Sequence, residues 1–438
     1  MESRGAGIPL LSLPDPEGSG ETSLDPLGLV PIGEQLAVEL VPGVRERQVH
    51  PRYLTAFAVS LEICREFRDQ TAADGFSEPW QVFEWYAVEG FVRLAKETGG
   101  EARVPGSQKA RKALSQGLPL NAARYLKSPS IFGFHGVYRL LAHTLRVEQA
   151  GFPGDFGWEL LDVWEKEQGL QGFHGSTDGP GRKVGRMLAD AVRDGLQKGA
   201  TDRPDGWAGW AFFHEHLDPA RVGTREGELI WRQLRSGVIG FGGEILDFLV
   251  TKQGKALADL EERKERQFFD ALKRVASDGL RERIDAIGRY EWFCRLLQDA
   301  FDACRHEITL AHRGILPGEL GKVKAVQRAV ERLPDAFAAA EEGLGNLDRR
   351  NRFQNTFQEI AQERTPADFV VALYEHHRRV QKAKPPDGKA SWLECFADGS
   401  LLVRPDYRLE KPPVISEEWV NKYRAEPLRS FVRDLKLD

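Results

Sequence analysis

The sequence predicts a mostly α-helical, multi-domain protein. Apolar residues recur at helical spacing through most of the 438 residues. Glycine and proline fall where helices of ordinary length would start and stop. A single segment, near the C-terminus, reads as a β-hairpin.

Residues 1–24 are rich in Gly, Pro, Ser and acids and lack a basic start before a long apolar core, so they read as a disordered leader rather than a signal peptide. Ile32, Leu36, Val38 and Leu40 suit a short helix closed by Pro42-Gly43. In RYLTAFAVSLEICREF, Leu54, Phe57, Ala58, Leu61 and Cys64 share one stripe. EPWQVFEWYAVEGFVRLAKETGG has proline near its start and a Gly-Gly stop. Residues 107–147 read as three short helices, SQKARKALSQ, LNAARYLK and GVYRLLAHTLRV, with SPSIFGFHG joining the last two. Such arrangements are the raw material of helix-turn-helix folds, completing an N-terminal helical domain over 25–150. Residues 151–255 form an aromatic-rich helical domain with Trp158, Trp164, Trp207, Trp210 and Trp231.

From Leu257 to Phe301 a long amphipathic pattern runs through Leu260, Phe268, Leu272, Val275, Leu280, Ile284, Ile287, Phe293 and Leu296 until Pro317-Gly318 breaks it. A long antiparallel helix pair over 256–364 follows, either an internal scaffold or a partner-docking arm. The last segment, 365–438, opens with Thr365-Pro366-Ala367-Asp368, a capping hydroxyl, a first-turn proline and an acid. Its helix should end near Lys384, before a hairpin around Asp398-Gly399 and a final helix that Pro427 should interrupt.

No run of about 18 apolar residues suggests a membrane span. Four scattered cysteines without a C-x-x-C pair suit a reducing cytoplasm. The net charge of −5 means that any nucleic-acid contact must come from a local patch or through partners.

The strongest local patch is HHRRVQKAKPPDGKASW, residues 376–392. Phe369, Leu373, His376 and Val380 share a helical stripe, making His376 a core-edge residue, while Arg378, Arg379 and Lys382 point away and Glu375 can pair with Arg379. With the hairpin this resembles a winged-helix layout, Lys389 and Arg404 being the wing's phosphate contacts. The plain alternative is a solvated basic helix end, which also suits the helix dipole. A weaker anion site is the glycine-rich loop before Arg182, Lys183 and Arg186, whose amides would be free, although it lacks the P-loop order of residues. His214, Glu215, His216 and Asp218 would suit a metal on a strand but diverge on a helix, and Cys304, His306 and His312 share no helical face. No catalytic signature is found, and no metal or cofactor is expected.

DPLGL at 25–29, PG at 42–43, RY at 52–53, FGFHGVYR at 132–139, and HRRVQKAK, SW and VRPDY within 377–407 together resemble a poorly characterised group of bacterial proteins. Their genes often sit beside helicase, nuclease or ATPase genes in antiphage defence islands. The matching positions include Arg52, Tyr53, Tyr138, Arg139, Lys382, Trp392, Arg404 and Tyr407, and the resemblance assigns no catalytic residue among them. Tyr138 and Trp392 read as core rather than as base-stacking platforms. The resemblance implies a defence context, not a reaction. Together with the missing catalytic signatures, the local basic helix and the long amphipathic pattern, it leads to the expectation of a cytoplasmic, non-catalytic accessory component that contacts DNA or a helicase, nuclease or ATPase partner. The alternatives are a divergent metal-dependent nuclease or nucleotide-processing effector, and a purely structural interaction scaffold.

Overall fold

Helical periodicity is realised over most of the described residues: in the computed structural model they form nineteen α-helices and two short antiparallel hairpins. The structure describes residues 25–98, 104–175, 178–218, 221–258, 264–385 and 387–435. The leader expected over 1–24 lies outside them.

The Asp25 carboxylate accepts the amides of Leu29 and Val30 and so starts α1 (Val30–Leu40), which buries Ile32, Leu36 and Leu40 while Val38 stays exposed. In α2 (Tyr53–Cys64) every residue except Glu62 is buried. α3 (Pro79–Thr98) precedes α4 (Ser107–Ser115), which follows Gly106 at φ +86°. A Cβ on Gly106 would lie 2.3 Å from the Tyr125 hydroxyl, so both backbone and space require glycine. LNAARYLK forms turns and not the expected helix. Prolines 119 and 129 bracket it, the Asn121 side chain captures the Arg124 amide, and Thr201 holds Leu120. α5 (Pro129–Phe132) and α6 (Phe134–Thr144) follow. A hairpin absent from the sequence reading pairs β1 (Glu148–Gln149) with β2 (Phe152–Pro153) around Ala150-Gly151, both at positive φ. The aromatic region then provides α7 (Asp155–Glu167), α8 (Pro180–Lys198), α9 (Ala208–Leu217), α10 (Thr224–Leu234) and α11 (Gly242–Leu249).

The long amphipathic stretch is divided. α12 (Lys252–Ala258) and α13 (Glu265–Lys273) come first, and Ser277 then caps the 34-residue α14 (Asp278–Ala311) by accepting the Leu280 amide. Val275 sits in the break and is 69% exposed, not on a core stripe. α14 ends at His312, φ +51°, before Pro317, which instead begins α15 (Pro317–Leu320). α16 (Lys324–Gly343) packs along α14 as the expected helix pair. α17 (Leu347–Phe357) and α18 (Pro366–Lys382) follow, Thr365 capping α18 through the Asp368 amide. β3 (Leu393–Cys395) and β4 (Leu401–Val403) form the hairpin read from Asp398-Gly399. α19 (Ala425–Asp434) takes Pro427 into its first turn, where no amide is needed, instead of being broken by it.

Two compact units result, each discontinuous in sequence. The first joins the described residues up to Leu40 to Gln253–Tyr423; the second joins Val41–Lys252 to the residues from Arg424 onward. In the first, Phe293 meets Phe337, Phe353 and Phe357 edge-on. In the second, the Tyr53 ring meets Phe91, Phe134 and Tyr138.

Candidate nucleic-acid interface

The 376–392 segment in the first unit has a double task. Both histidines are buried. His376 Nε2 donates to the Leu27 carbonyl at 2.8 Å. His377 Nδ1 donates to the Pro26 carbonyl at 2.8 Å, and its Nε2 accepts the Trp392 amide at 2.9 Å. That network assigns the tautomer and requires a neutral ring. Burial accordingly brings both imidazoles down to about 4. Gln381 and Lys384 add hydrogen bonds to the carbonyls of Pro26 and Asp25. Gly28, at φ +74°, leaves room for Val380. Thus DPLGL and HHRRVQKAK, far apart in sequence, clasp one another.

The outward arginines of this helix are locally neutralised. Arg378 pairs with Glu375 at 2.6 Å, and Arg379 reaches Glu359 instead of the expected Glu375. Arg404 pairs with Glu394 at 3.1 Å. Lys382 is exposed, and Lys389 has partners of its own. The Trp392 ring, 8% exposed, stacks on Tyr407 at 4.7 Å and lies under the Arg305 guanidinium at 4.9 Å, so both its faces are occupied. It is core, as the sequence suggests.

The other resemblance motifs likewise build the second unit. Arg52, fully buried, lies 3.3 Å from Glu226 and donates to the carbonyls of Asp218 and His216. The Tyr138 hydroxyl accepts the His50 amide. Gly43 is in close contact with Thr144. Arg139 is exposed.

The weaker sites resolve differently. The Gly181 amide, expected to be free for an anion, donates to the Gln171 carbonyl. Arg182 pairs with Asp178 at 2.5 Å, while Lys183 and Arg186 are exposed. His214 and His216 lie on α9, two residues apart, and reach Asp218 and Gln168 separately. His306 bonds to the Leu409 carbonyl, and burial pushes the Cys304 thiol up to about 12.

A different surface stands out once ion pairs are assigned. Residues 104–147 contain seven lysines and arginines and no aspartate or glutamate. The signal is in the sequence, but a search for basic runs passes over it because the cations are spaced out. Lys109, Arg111 and Lys112 are exposed on α4, and Arg124 and Lys127 on the turn that follows it. Gly106, Ser107, Gln108, Lys109, Lys112 and Leu126 line an open groove. Among the described residues no carboxylate pairs with any of these five cations; the Arg124 guanidinium donates to the Pro119 carbonyl. The groove holds the first turn of α4, where the helix dipole adds to the positive field. Close against Gly106 lies Tyr125, whose hydroxyl donates to the buried Glu84 at 2.7 Å. Burial pushes the Glu84 carboxyl up to about 7, against the pull of the His135 amide and the Tyr125 hydroxyl.

The second unit also brings together Asp162, Glu165 and His174, whose donor atoms all lie within 4.8 Å of one another. The sequence reading expected no metal ligands, and the 8-residue gap between Glu165 and His174 hides the grouping. No family model, curated protein or solved structure matches the chain.

Proposed function

We propose that the protein is an accessory component that contacts duplex DNA through the basic groove of α4 and the 121–127 turn. The observation that carries this reading is the contrast between two basic surfaces. The arginines of the 376–404 region are paired with Glu375, Glu359 and Glu394, whereas Lys109, Arg111, Lys112, Arg124 and Lys127 have no carboxylate partner among the described residues. Phosphate binding is driven by release of counterions from the nucleic acid, and a cation already paired within the protein contributes less to it. The groove supplies charge without a base-reading element, which suits backbone contact more than sequence readout. The placement in an antiphage system beside a helicase, nuclease or ATPase rests on the resemblance alone.

The test is fluorescence anisotropy on duplex DNA at several salt concentrations. Wild type should bind with a clear salt slope. A Lys109→Ala, Lys112→Ala, Arg124→Ala, Lys127→Ala variant should lose up to about 3.6 from that slope if all four cations contact phosphates. Unchanged binding in the variant would refute the reading, and preference for single-stranded RNA over duplex DNA would refute its choice of ligand.

A further inference from the structure

We propose that Asp162, Glu165 and His174 form a binding site for a divalent transition metal, with Glu62 of α2 as a third carboxylate. Asp162 and Glu165 stand three residues apart on α7 and therefore on one helix face. His174 comes from the loop after α7, between Gly172 and Gly175, both in the left-handed region. Its Nε2 lies 2.9 Å from Asp162 Oδ1 and 3.9 Å from Glu165 Oε2. Glu165 is in turn held by the amides of Phe173 and His174, which fix the loop on the helix and orient the carboxylate. The Trp158 ring lies 5.5 Å from the imidazole and limits its rotation.

A histidine–carboxylate ion pair would look similar at Asp162 and His174. Glu62 is the independent observation. Its side chain is 9% exposed; one oxygen meets Arg65 at 3.2 Å, and the other, Oε2, is buried with no hydrogen-bond partner. It is carried by α2, which packs against α7. An anionic oxygen left unpaired in a buried position is costly, and a cation bound beside it would remove that cost.

One imidazole and two or three carboxylates without a thiolate suit zinc or manganese; calcium and magnesium favour all-oxygen sites. Asp162 is 53% exposed, so the site opens to solvent on one side and leaves coordination positions for water or an incoming anion, as sites with three protein ligands do.

The test is calorimetric titration of the tag-free, chelator-treated full chain with zinc chloride and with manganese chloride, alongside thermal unfolding. The expected result is about one equivalent bound, with a midpoint that rises with metal concentration. His174→Ala and Asp162→Asn should each weaken binding by about tenfold or more, and Glu62→Gln by a smaller factor. Asp162 is exposed and His174 lies on a loop, so both variants should fold, and their metal-free melting curves check this. Absence of saturable binding to wild type, or unchanged affinity in His174→Ala, would overturn the site. Unchanged affinity in Glu62→Gln alone would remove Glu62 from it. None of these readouts involves DNA, so the result is independent of the groove.

Discussion

His377 shows how a residue that looks functional in sequence can be consumed by folding. It sits in the most basic stretch of the chain, yet one nitrogen donates to Pro26 and the other accepts from Trp392. Only the neutral ring can do both. Its pKa in the folded unit, about 4, lies below the ordinary value of 6.5, so below pH 6.5 the unfolded chain binds the proton first. The stabilisation is therefore fully present above pH 6.5 and fades as pH falls toward 4. His377→Asn should lower the unfolding midpoint at pH 7.5, by about 1–3 kcal/mol of stability. The gap between wild type and variant should narrow as the pH is lowered through that window. Melting curves at a series of pH values check it; a gap that widens in acid would show that the charged ring is the one the fold uses. The histidine stripe was legible, since His376 follows Phe369 and Leu373 at helical spacing. The partners of both rings were not, because the carbonyls of Pro26 and Leu27 lie about 350 residues away in the chain.

At the scale of elements, local signals were read well and long-range ties were not. The Thr365 cap and the Asp398-Gly399 turn act through neighbours within four residues, and both formed as the sequence indicates. The expected final helix formed only from Ala425, and its first part, residues 417–424, did not. There the backbone is held by Glu291 of α14, whose carboxylate accepts the amides of Val420 and Asn421, the Asn421 side chain and the Tyr423 hydroxyl. Four donors meeting one buried carboxylate outweigh a helical propensity that is worth tenths of a kcal/mol per residue. Glu291→Ala would leave those donors unsatisfied and should destabilise the first unit by about 2–4 kcal/mol, measured by denaturant unfolding. A loss under about 0.5 kcal/mol would mean that the segment is held by packing alone. The failed LNAARYLK helix has the same cause on a smaller scale: Tyr125 is anchored on Glu84 and Leu120 on Thr201.

For the whole molecule, the discontinuous units could not be read from composition, because each is completed by a segment distant in the chain. α19 returns to the second unit with Leu428 and Phe431 fully buried and Arg424 paired to Glu46 at 3.1 Å. Ending the chain after Tyr423 should therefore lower the second unit's unfolding midpoint by about 10 °C or more, since two large apolar side chains contribute about 3–6 kcal/mol. An unchanged midpoint would show that this unit is complete without them. Charge is also organised at this scale. A chain of net −5 carries a 44-residue stretch without one carboxylate, and the arginines that appear most concentrated are those already paired. The most direct measurement is duplex-DNA binding across a salt series with two variants: Lys109→Ala, Lys112→Ala, Arg124→Ala, Lys127→Ala, and Arg378→Ala, Arg379→Ala, Lys382→Ala. The account predicts a flattened salt slope for the first variant and a slope close to wild type for the second. A flattened slope for the second with the first unchanged would contradict it.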